Sequence, residues 1–132
     1  MPFKFIKMSW IDERIEAYYQ WLKDNTAIKE DVGTGWFSIS TPFVGLFNDN
    51  IEIFIKKEND KIILSDDSQT IENLVLLGVD INRSPKRIQF VKYVLRNYGI
   101  QFVNKELTVI SSEKDFPQKK HALISALSEI SD

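Results

Sequence analysis

Apolar residues recur at helical spacing between Ser9 and Asp24, near the start of the chain. The stripe consists of Ile11, Ile15, Tyr18, Tyr19 and Leu22. Such spacing places the side chains on one face of an α-helix. Ser9 is a good N-cap because its hydroxyl can accept a backbone N–H of the first turn. The pattern therefore predicts an amphipathic helix over residues 9–24.

Alternation of apolar and polar residues predicts strands in the middle of the chain. Residues 36–40 alternate, and we expect Pro42 to end that strand because proline donates no backbone hydrogen bond. Residues 51–55 and 61–64 read as two further strands. The charged residues 56–60 between them predict a hairpin with a solvated tip.

The second half of the chain predicts three helices and another hairpin. A short helix is expected to be capped near Thr70 and ended by Gly78. Its inward side chains are expected to be Ile71, Leu74, Val75 and Leu77. A longer helix is expected over residues 84–99, because that stretch starts with Ser-Pro and ends at glycine. Residues 100–110 then predict a hairpin, and residues 117–130 predict a final helix.

This order of elements lacks the regular strand–helix alternation of a doubly wound sheet. It predicts an α+β fold, in which a small antiparallel sheet of two hairpins carries helices packed mainly on one face. The 132 residues suit a single domain, with residues 1–8 as a short N-terminal arm or edge strand.

Composition excludes several classes of protein. The 17 Lys and Arg nearly balance the 19 Asp and Glu, and a net charge of −2 gives no overall attraction to nucleic acid or anionic lipid. The absence of cysteine excludes disulfides, thiolate metal sites and a cysteine nucleophile, and it suits a cytoplasmic protein. No apolar run is long enough to cross a membrane, so we expect no membrane partner.

Motifs for catalysis are also missing from the sequence. It has no glycine-rich phosphate loop, and its one histidine, His121, lies near the start of the last predicted helix. A lone histidine supplies too few ligands for zinc and no nucleophile to activate. We therefore expect no cofactor, and an enzyme is the less favoured interpretation.

Four carboxylates near the predicted strand ends could still hold a divalent metal. They are Asp49, Glu52, Asp66 and Asp67. Carboxylate oxygens bind Mg²⁺, and such clusters support phosphodiester hydrolysis. The simpler interpretation is that Asp66 and Ser68 cap the helix that begins near Thr70.

A basic helix face offers a third interpretation. Lys86, Arg87, Lys92 and Arg96 lie away from the apolar stripe of the helix over residues 84–99, with Tyr93 among them. Interleaved cations and aromatic rings can contact phosphates and bases. A solvated helix face that carries lysines is the more common arrangement.

Three short segments resemble a known family in their order and spacing. They are residues 41–55, with Thr-Pro-Phe and then Asn-Asp-Asn-Ile-Glu-Ile-Phe-Ile; residues 63–71, Ile-Leu-Ser-Asp-Asp-Ser-Gln-Thr-Ile; and residues 116–121, Phe-Pro-Gln-Lys-Lys-His. Together they resemble the bacterial and phage domain-of-unknown-function family DUF1828, from about Trp10 onward. The resemblance implies a small domain carried by bacteria and their mobile elements, in the cytoplasm of a bacterial host cell, and it implies no settled activity.

The chain departs from this family pattern in two places. The family is polar after its Phe, with an acid that Gly45 replaces, and its usual glycine after the Asp pair is Ser68 here. If the family's acids form a metal site, Gly45 removes one ligand. The apolar loop that results consists of Phe43, Val44, Leu46 and Phe47. We expect this loop either to pack into the core or to contact a partner.

These observations favour a non-enzymatic protein-binding module from a phage or mobile element. Its partner is a host or competitor protein, and an anti-defence inhibitor of the anti-CRISPR kind fits the small size and the lack of catalytic motifs. A divalent-metal nuclease, or a degenerate remnant of one, and a nucleic-acid-binding regulator remain as alternatives.

Overall fold

A computed structural model describes residues 2–5, 9–45, 49–76, 78 and 83–131. Its helices are α1 (Trp10–Asp24), α2 (Gln69–Leu76), α3 (Pro85–Tyr98) and α4 (Phe116–Ser131). Its strands are β1 (Ala27–Glu30), β2 (Phe37–Val44), β3 (Asn50–Glu58), β4 (Lys61–Ser65), β5 (Gln101–Val103) and β6 (Glu106–Ser111). The arm at residues 2–5 is exposed and belongs to no strand.

The six strands form one antiparallel sheet in the order β1-β2-β3-β4-β6-β5. Alternate residues of the central strands, among them Ile53, Leu64 and Leu107, point to one face and are fully buried. Helices α2, α3 and α4 cover that face and share one hydrophobic core with it. The α+β architecture expected from the sequence, with helices mainly on one face, is confirmed.

The core is centred on α4, where Leu123, Ala126 and Leu127 are buried against the sheet. Helix α3 adds Val91 and Val94 from the stripe that its sequence predicts. Apolar spacing of i, i+3 and i+4 turns these residues toward the same side, which is why both helices dock. Ser84 caps α3, and Gly99 ends it with a left-handed backbone, as their sequence positions predict.

The strands differ from the predicted ones in three respects. Strand β1 was not predicted, because its four residues are all exposed at the sheet edge and leave no alternation to detect. Strand β2 continues through Pro42, where the pairing register with β3 shifts between Ser40 and Val44. A bulge of this kind tolerates a residue without an N–H. The β3–β4 hairpin is tighter than predicted, with a turn at Asn59 and Asp60 alone.

One predicted core position on α2 is wrong. Val75 is exposed, whereas Ile71 and Leu74 are buried as expected. Helix α2 has only eight residues, and Ile71 and Leu74 already occupy its narrow buried side, so a third adjacent apolar side chain points outward. Leu77, the fourth predicted inward residue, lies outside the described residues.

Helix α1 forms as predicted but does not join the core. The hydroxyl of Ser9 caps it by accepting the backbone N–H of Asp12 at 3.5 Å. Within the described part of the chain, no side chain of α1 is buried, and only Asp12 and Leu22 are half-buried. Its apolar side chains are therefore presented to solvent.

Over the residues that the structure describes, no helix is both long and apolar enough to cross a lipid bilayer.

Candidate functional site

An apolar groove lies where the end of β2 faces the start of α4. It encloses about 430 Å³, and its walls include Pro42, Phe43, Phe116 and Ile124. Among the described residues that line it, none is acidic. The groove therefore combines an apolar interior with an electrostatic preference for negatively charged groups.

The position of Phe43 in this groove is set by the buried Thr41. The hydroxyl of Thr41 donates to the backbone carbonyl of Ile51 at 2.7 Å and accepts the backbone N–H of Phe43 at 3.3 Å. This bridge spans the register shift in β2, after which Val44 still pairs with Asn50 of β3. At this end of the strand Phe43 keeps 36% of its surface exposed, and Val44 keeps 50%.

The second wall is the first part of α4. Phe116 packs against the core, while Lys120 and His121 line the groove. Lys120 is half-buried, and that burial lowers its pKa below the usual range. Just before the helix, the carboxylate of Asp115 accepts the backbone N–H and the hydroxyl of Ser112 at 2.7 and 2.9 Å. This turn fixes where α4 starts.

The end of α1 closes the groove on its third side. Leu22 and Thr26 both line it, and the hydroxyl of Thr26 donates to the carbonyl of Leu22 at 2.7 Å. Leu22 is the one apolar residue of α1 that is half-buried. Three elements far apart in sequence thus meet at one place.

The predicted partner-binding loop borders this groove. Phe43 lines it, and Val44 follows on the exposed end of β2. Leu46 and Phe47, the other two residues of that prediction, lie outside the described residues. The groove residues on α4 were missed, although Phe116 to His121 was the third of the segments that carry the family resemblance.

The predicted acidic site is divided between two faces of the sheet. Asp49, Glu52 and Asp66 line a cavity of about 260 Å³, together with Gly45. Asp67 lines a different cavity, of about 410 Å³, beside Trp36 and Phe54. Across the described ranges, no group of three or more His, Cys, Asp or Glu side chains is arranged to hold a metal ion.

Asp66 is fully engaged by backbone donors. Its Oδ1 accepts the N–H of Ser68 at 2.9 Å and of Leu107 at 3.0 Å, and its Oδ2 accepts the N–H of Thr70 at 3.2 Å. The carboxylate therefore caps α2, as the simpler interpretation of the sequence predicts, and also joins β4 to β6. Burial raises the pKa of Asp66 above its ordinary value, although these hydrogen bonds oppose the shift.

Two glutamates near this site, Glu52 and Glu106, accept hydrogen bonds from serine hydroxyls. Glu52 accepts a short hydrogen bond from the hydroxyl of Ser38 on the neighbouring strand. On the helix-free face, Glu106 accepts from the hydroxyl of the buried Ser65 at 2.6 Å, and Ser65 in turn accepts the backbone N–H of Asp67 at 2.9 Å. Each of these two glutamates therefore links its strand to a neighbouring strand of the sheet.

The basic face of α3 exists as predicted. Lys86, Arg87, Lys92 and Arg96 are all exposed. Helix α3 contains no Asp or Glu, so these four cations are not offset within the helix. Two exposed aromatic rings, Tyr93 and the unpredicted Phe90, lie on the same helix.

Comparison with known proteins gives one match. A family model described as a domain of unknown function, DUF1828, matches residues 41–130. The match begins at Thr41, later than the Trp10 expected from the resemblance, so α1 and β1 lie outside it. No curated protein and no solved structure matches the chain.

Proposed function

Because the chain belongs to the DUF1828 family, whose description names no activity, we propose a function from the chain's own surfaces: it is a protein-binding module. The groove between β2 and α4 takes up an apolar segment of a partner protein. In this proposed role the chain binds its partner and catalyses no reaction.

The observation that carries this proposal is the exposure of Phe43 and Val44 at the end of β2. An aromatic and a branched side chain remain exposed beside an open apolar groove. Apolar pockets rimmed by a few polar groups are the usual seats of side-chain anchors in interfaces. Lys120 adds a positive charge and His121 a further polar side chain at the rim, so the partner segment carries an acidic group next to its apolar anchor.

The experiment is affinity capture from bacterial lysate followed by binding to the purified prey. Lys120→Glu reverses a charge that lines the groove, and Val44→Asp places a negative charge next to Phe43 at its edge. The double variant is expected to weaken binding at least about tenfold, which corresponds to about 1.4 kcal/mol. Val32→Asp, at an exposed turn, is the matched control. Far-ultraviolet circular dichroism verifies that all variants fold.

Two results would contradict the proposal. One is a prey that binds the double variant as tightly as the native protein. The other is the absence of any stoichiometric prey across lysates and phage-infected lysates. The anti-defence role and the phage origin remain predictions, and a captured defence protein would support them.

A second candidate, binding to nucleic acid through α3, is favoured by one observation. The helix carries four exposed cations with no acid and two exposed aromatic rings, in a chain whose net charge is −2. Cations with interleaved aromatics contact phosphates and stack on bases. This surface is separate from the groove at Phe43, so the two candidates are tested independently.

The test is fluorescence anisotropy with a labelled duplex and a labelled single strand. If α3 contacts phosphates, affinity falls steeply between about 50 and about 200 mM salt. Lys92→Gln with Arg96→Gln is then expected to reduce the slope by about two for the duplex. Lys29→Gln with Lys61→Gln removes the same charge from exposed positions on the sheet and is expected to leave the slope almost unchanged. Absence of binding at low salt would exclude this candidate.

A further inference from the structure

The face of the sheet opposite the helices has a hollow that the register of three strands creates. Ser38, Phe54 and Ser65 are direct neighbours across β2, β3 and β4. Because adjacent residues such as Ile53 and Leu64 are buried in the core, these three side chains point to the other face. The small serines on either side of the half-buried Phe54 ring leave the cavity of about 410 Å³ that also contains Asp67. This cavity is the hollow at Phe54.

A second aromatic ring lines the hollow at Phe54. It belongs to Trp36, which directly precedes β2 and is half-buried. The ammonium of Lys56 lies over this ring, 5.8 Å from its centre. The face of an aromatic ring carries partial negative charge and attracts cations. Lys56 is therefore an example, within the chain itself, of the contact that Trp36 makes with a cation.

The charged side chains that line the hollow are mostly acidic. They are Glu30, Asp31, Asp67 and Glu106, against one base, Lys29. The carboxylate of Asp31 is positioned by the backbone N–H of Gly33, which it accepts at 3.2 Å. The carboxylate of Glu106 is positioned by the hydroxyl of Ser65, which it accepts at 2.6 Å. Positioned carboxylates beside aromatic rings favour a positively charged ligand.

We propose that the hollow at Phe54 binds an organic cation, namely the ammonium or guanidinium end of a small molecule or of a basic side chain. The two rings contact the apolar part of the ligand, and the carboxylates face its charge. The inference goes beyond the proposed function, because the hollow lies on the opposite face of the sheet from α4 and the groove at Phe43. Failure of either proposal leaves the other intact.

The size of the hollow limits the ligand. Ligand pockets usually enclose about 300–1,000 Å³, so this one lies near the small end and suits one side chain or one small amine. An inorganic divalent ion is disfavoured, because among the described residues no three His, Cys, Asp or Glu are arranged to hold one. Aromatic rings also suit an organic cation better, since they contact its methylene groups as well as its charge.

The first test is an NMR titration of the isotope-labelled chain with butylammonium, which reproduces the end of a lysine side chain. Saturable shifts are expected at the indole N–H of Trp36 and at the backbone N–H groups of Phe54 and Asp67. The dissociation constant is expected in the millimolar range, because so small a ligand makes few contacts. Butanol has the same apolar chain without the charge and is expected to bind at least about tenfold more weakly.

Three variants test the part played by charge. Asp67→Asn keeps the size of the side chain and suits the left-handed backbone at this position, and it is expected to weaken butylammonium binding about threefold. Asp60→Asn makes the same change in the exposed β3–β4 turn and is expected to have no effect. Lys56→Gln removes the competing cation from Trp36 and is expected to strengthen binding about threefold. Damage to the fold would not produce such a gain.

A comparison of ligands identifies where the cation comes from. The tripeptides Gly-Lys-Gly and Gly-Arg-Gly carry the charge on a side chain, whereas choline is a free organic cation. Tighter binding of a tripeptide than of choline and butylammonium supports a basic segment of a partner protein as the ligand. Tighter binding of choline supports a small molecule.

Three outcomes overturn the proposal. Absence of a saturable shift at the Trp36 indole with every cation removes the site. Equal affinity for butanol and butylammonium would make the hollow an apolar pocket with no preference for charge. Unchanged binding in both Asp67→Asn and Lys56→Gln would mean that the cation binds elsewhere.

Discussion

At the scale of single residues, the turn between β4 and α2 holds two successive left-handed residues, Asp67 with φ 54° and Ser68 with φ 64°. A left-handed backbone costs a residue with a Cβ about 1–2 kcal/mol. This cost explains why glycine would suit position 68, where the resemblance to the family leads us to expect it. The chain keeps the turn because Asp66 accepts the N–H of Ser68 from inside it.

We predict that Ser68→Gly raises the free energy of unfolding by about 0.5–1 kcal/mol, because it relieves that backbone cost while adding some freedom to the unfolded chain. Ser40→Gly is the control. Ser40 lies within β2, where glycine weakens a strand, so that variant is expected to lose about 0.5–1 kcal/mol. Urea denaturation measures both, and a loss of stability in Ser68→Gly would contradict the backbone argument.

Asp66 gives a prediction about pH. Because its pKa is raised in the folded protein, folding favours the protonated form, and this contribution to stability is lost as pH rises from the ordinary value of 3.8 through the raised one. Asp66→Asn cannot titrate and loses part of the backbone cap, which costs about 1–3 kcal/mol. The stability advantage of the native chain over Asp66→Asn is therefore expected to be larger near pH 4 than near pH 7.

Denaturation of both proteins at several pH values measures this difference directly. Taking the difference removes the contributions of other acids, such as Glu113 and Asp115, whose pKa values are lowered and whose effects run the other way. If the stability advantage of the native chain grows with pH instead, the three backbone N–H donors lower the pKa of Asp66 by more than burial raises it.

Local sequence was enough to predict one of the two roles of Asp66. An Asp four residues before Thr70 at the start of a helical pattern indicates a cap. The hydrogen bond to the N–H of Leu107 was beyond prediction, because it joins residues separated by 41 positions and depends on which strands become neighbours.

At the scale of elements, α1 and α4 are similar in length and both amphipathic, yet only α4 supports the core. We predict that Leu123→Ala, which empties a fully buried site, costs about 2–5 kcal/mol. Ile15→Ala on α1 is expected to change stability by less than about 0.5 kcal/mol. Urea denaturation of both variants compares the two.

A large loss in Ile15→Ala under those conditions would show that α1 packs on the body in solution. The sequence could not separate the two helices in advance. Periodicity predicts that a helix has an apolar face, but it does not say whether that face meets the same chain. For the same reason, Val75 looked like a core residue beside Leu74 and is exposed.

At the scale of the whole molecule, stability is expected to be unevenly distributed. Strands β3 and β4 lie in the middle of the sheet with Ile53 and Leu64 fully buried, whereas α1 has no buried side chain among the described residues. We predict that amide hydrogen exchange is slowest in β3 and β4 and fast in α1. Amides of α1 that exchange as slowly as those of β3 would contradict this uneven distribution.

This measurement also tests the groove at Phe43. Protection that appears at the end of β2 and the start of α4 when a prey is added would support the groove.

The overall class of the fold follows from the sequence because strand and helix periodicities are local signals. The strand order does not, since the β4–β6 pairing brackets α2, α3 and β5 and no local pattern specifies it. The candidate groove was only half predictable for the same reason. Phe43 stood out as part of an apolar loop, but its neighbours on α1 and α4 are distant in the sequence.

The separation of α1 from the core has a consequence for evolution. A helix that contributes no buried side chain to its own domain can change most of its sequence with little penalty in folding, and here it also lies outside the region that the family model matches. Leu22 is the exception, because it lines the groove at Phe43. Mutations elsewhere in α1 are therefore expected to accumulate while the fold is inherited unchanged.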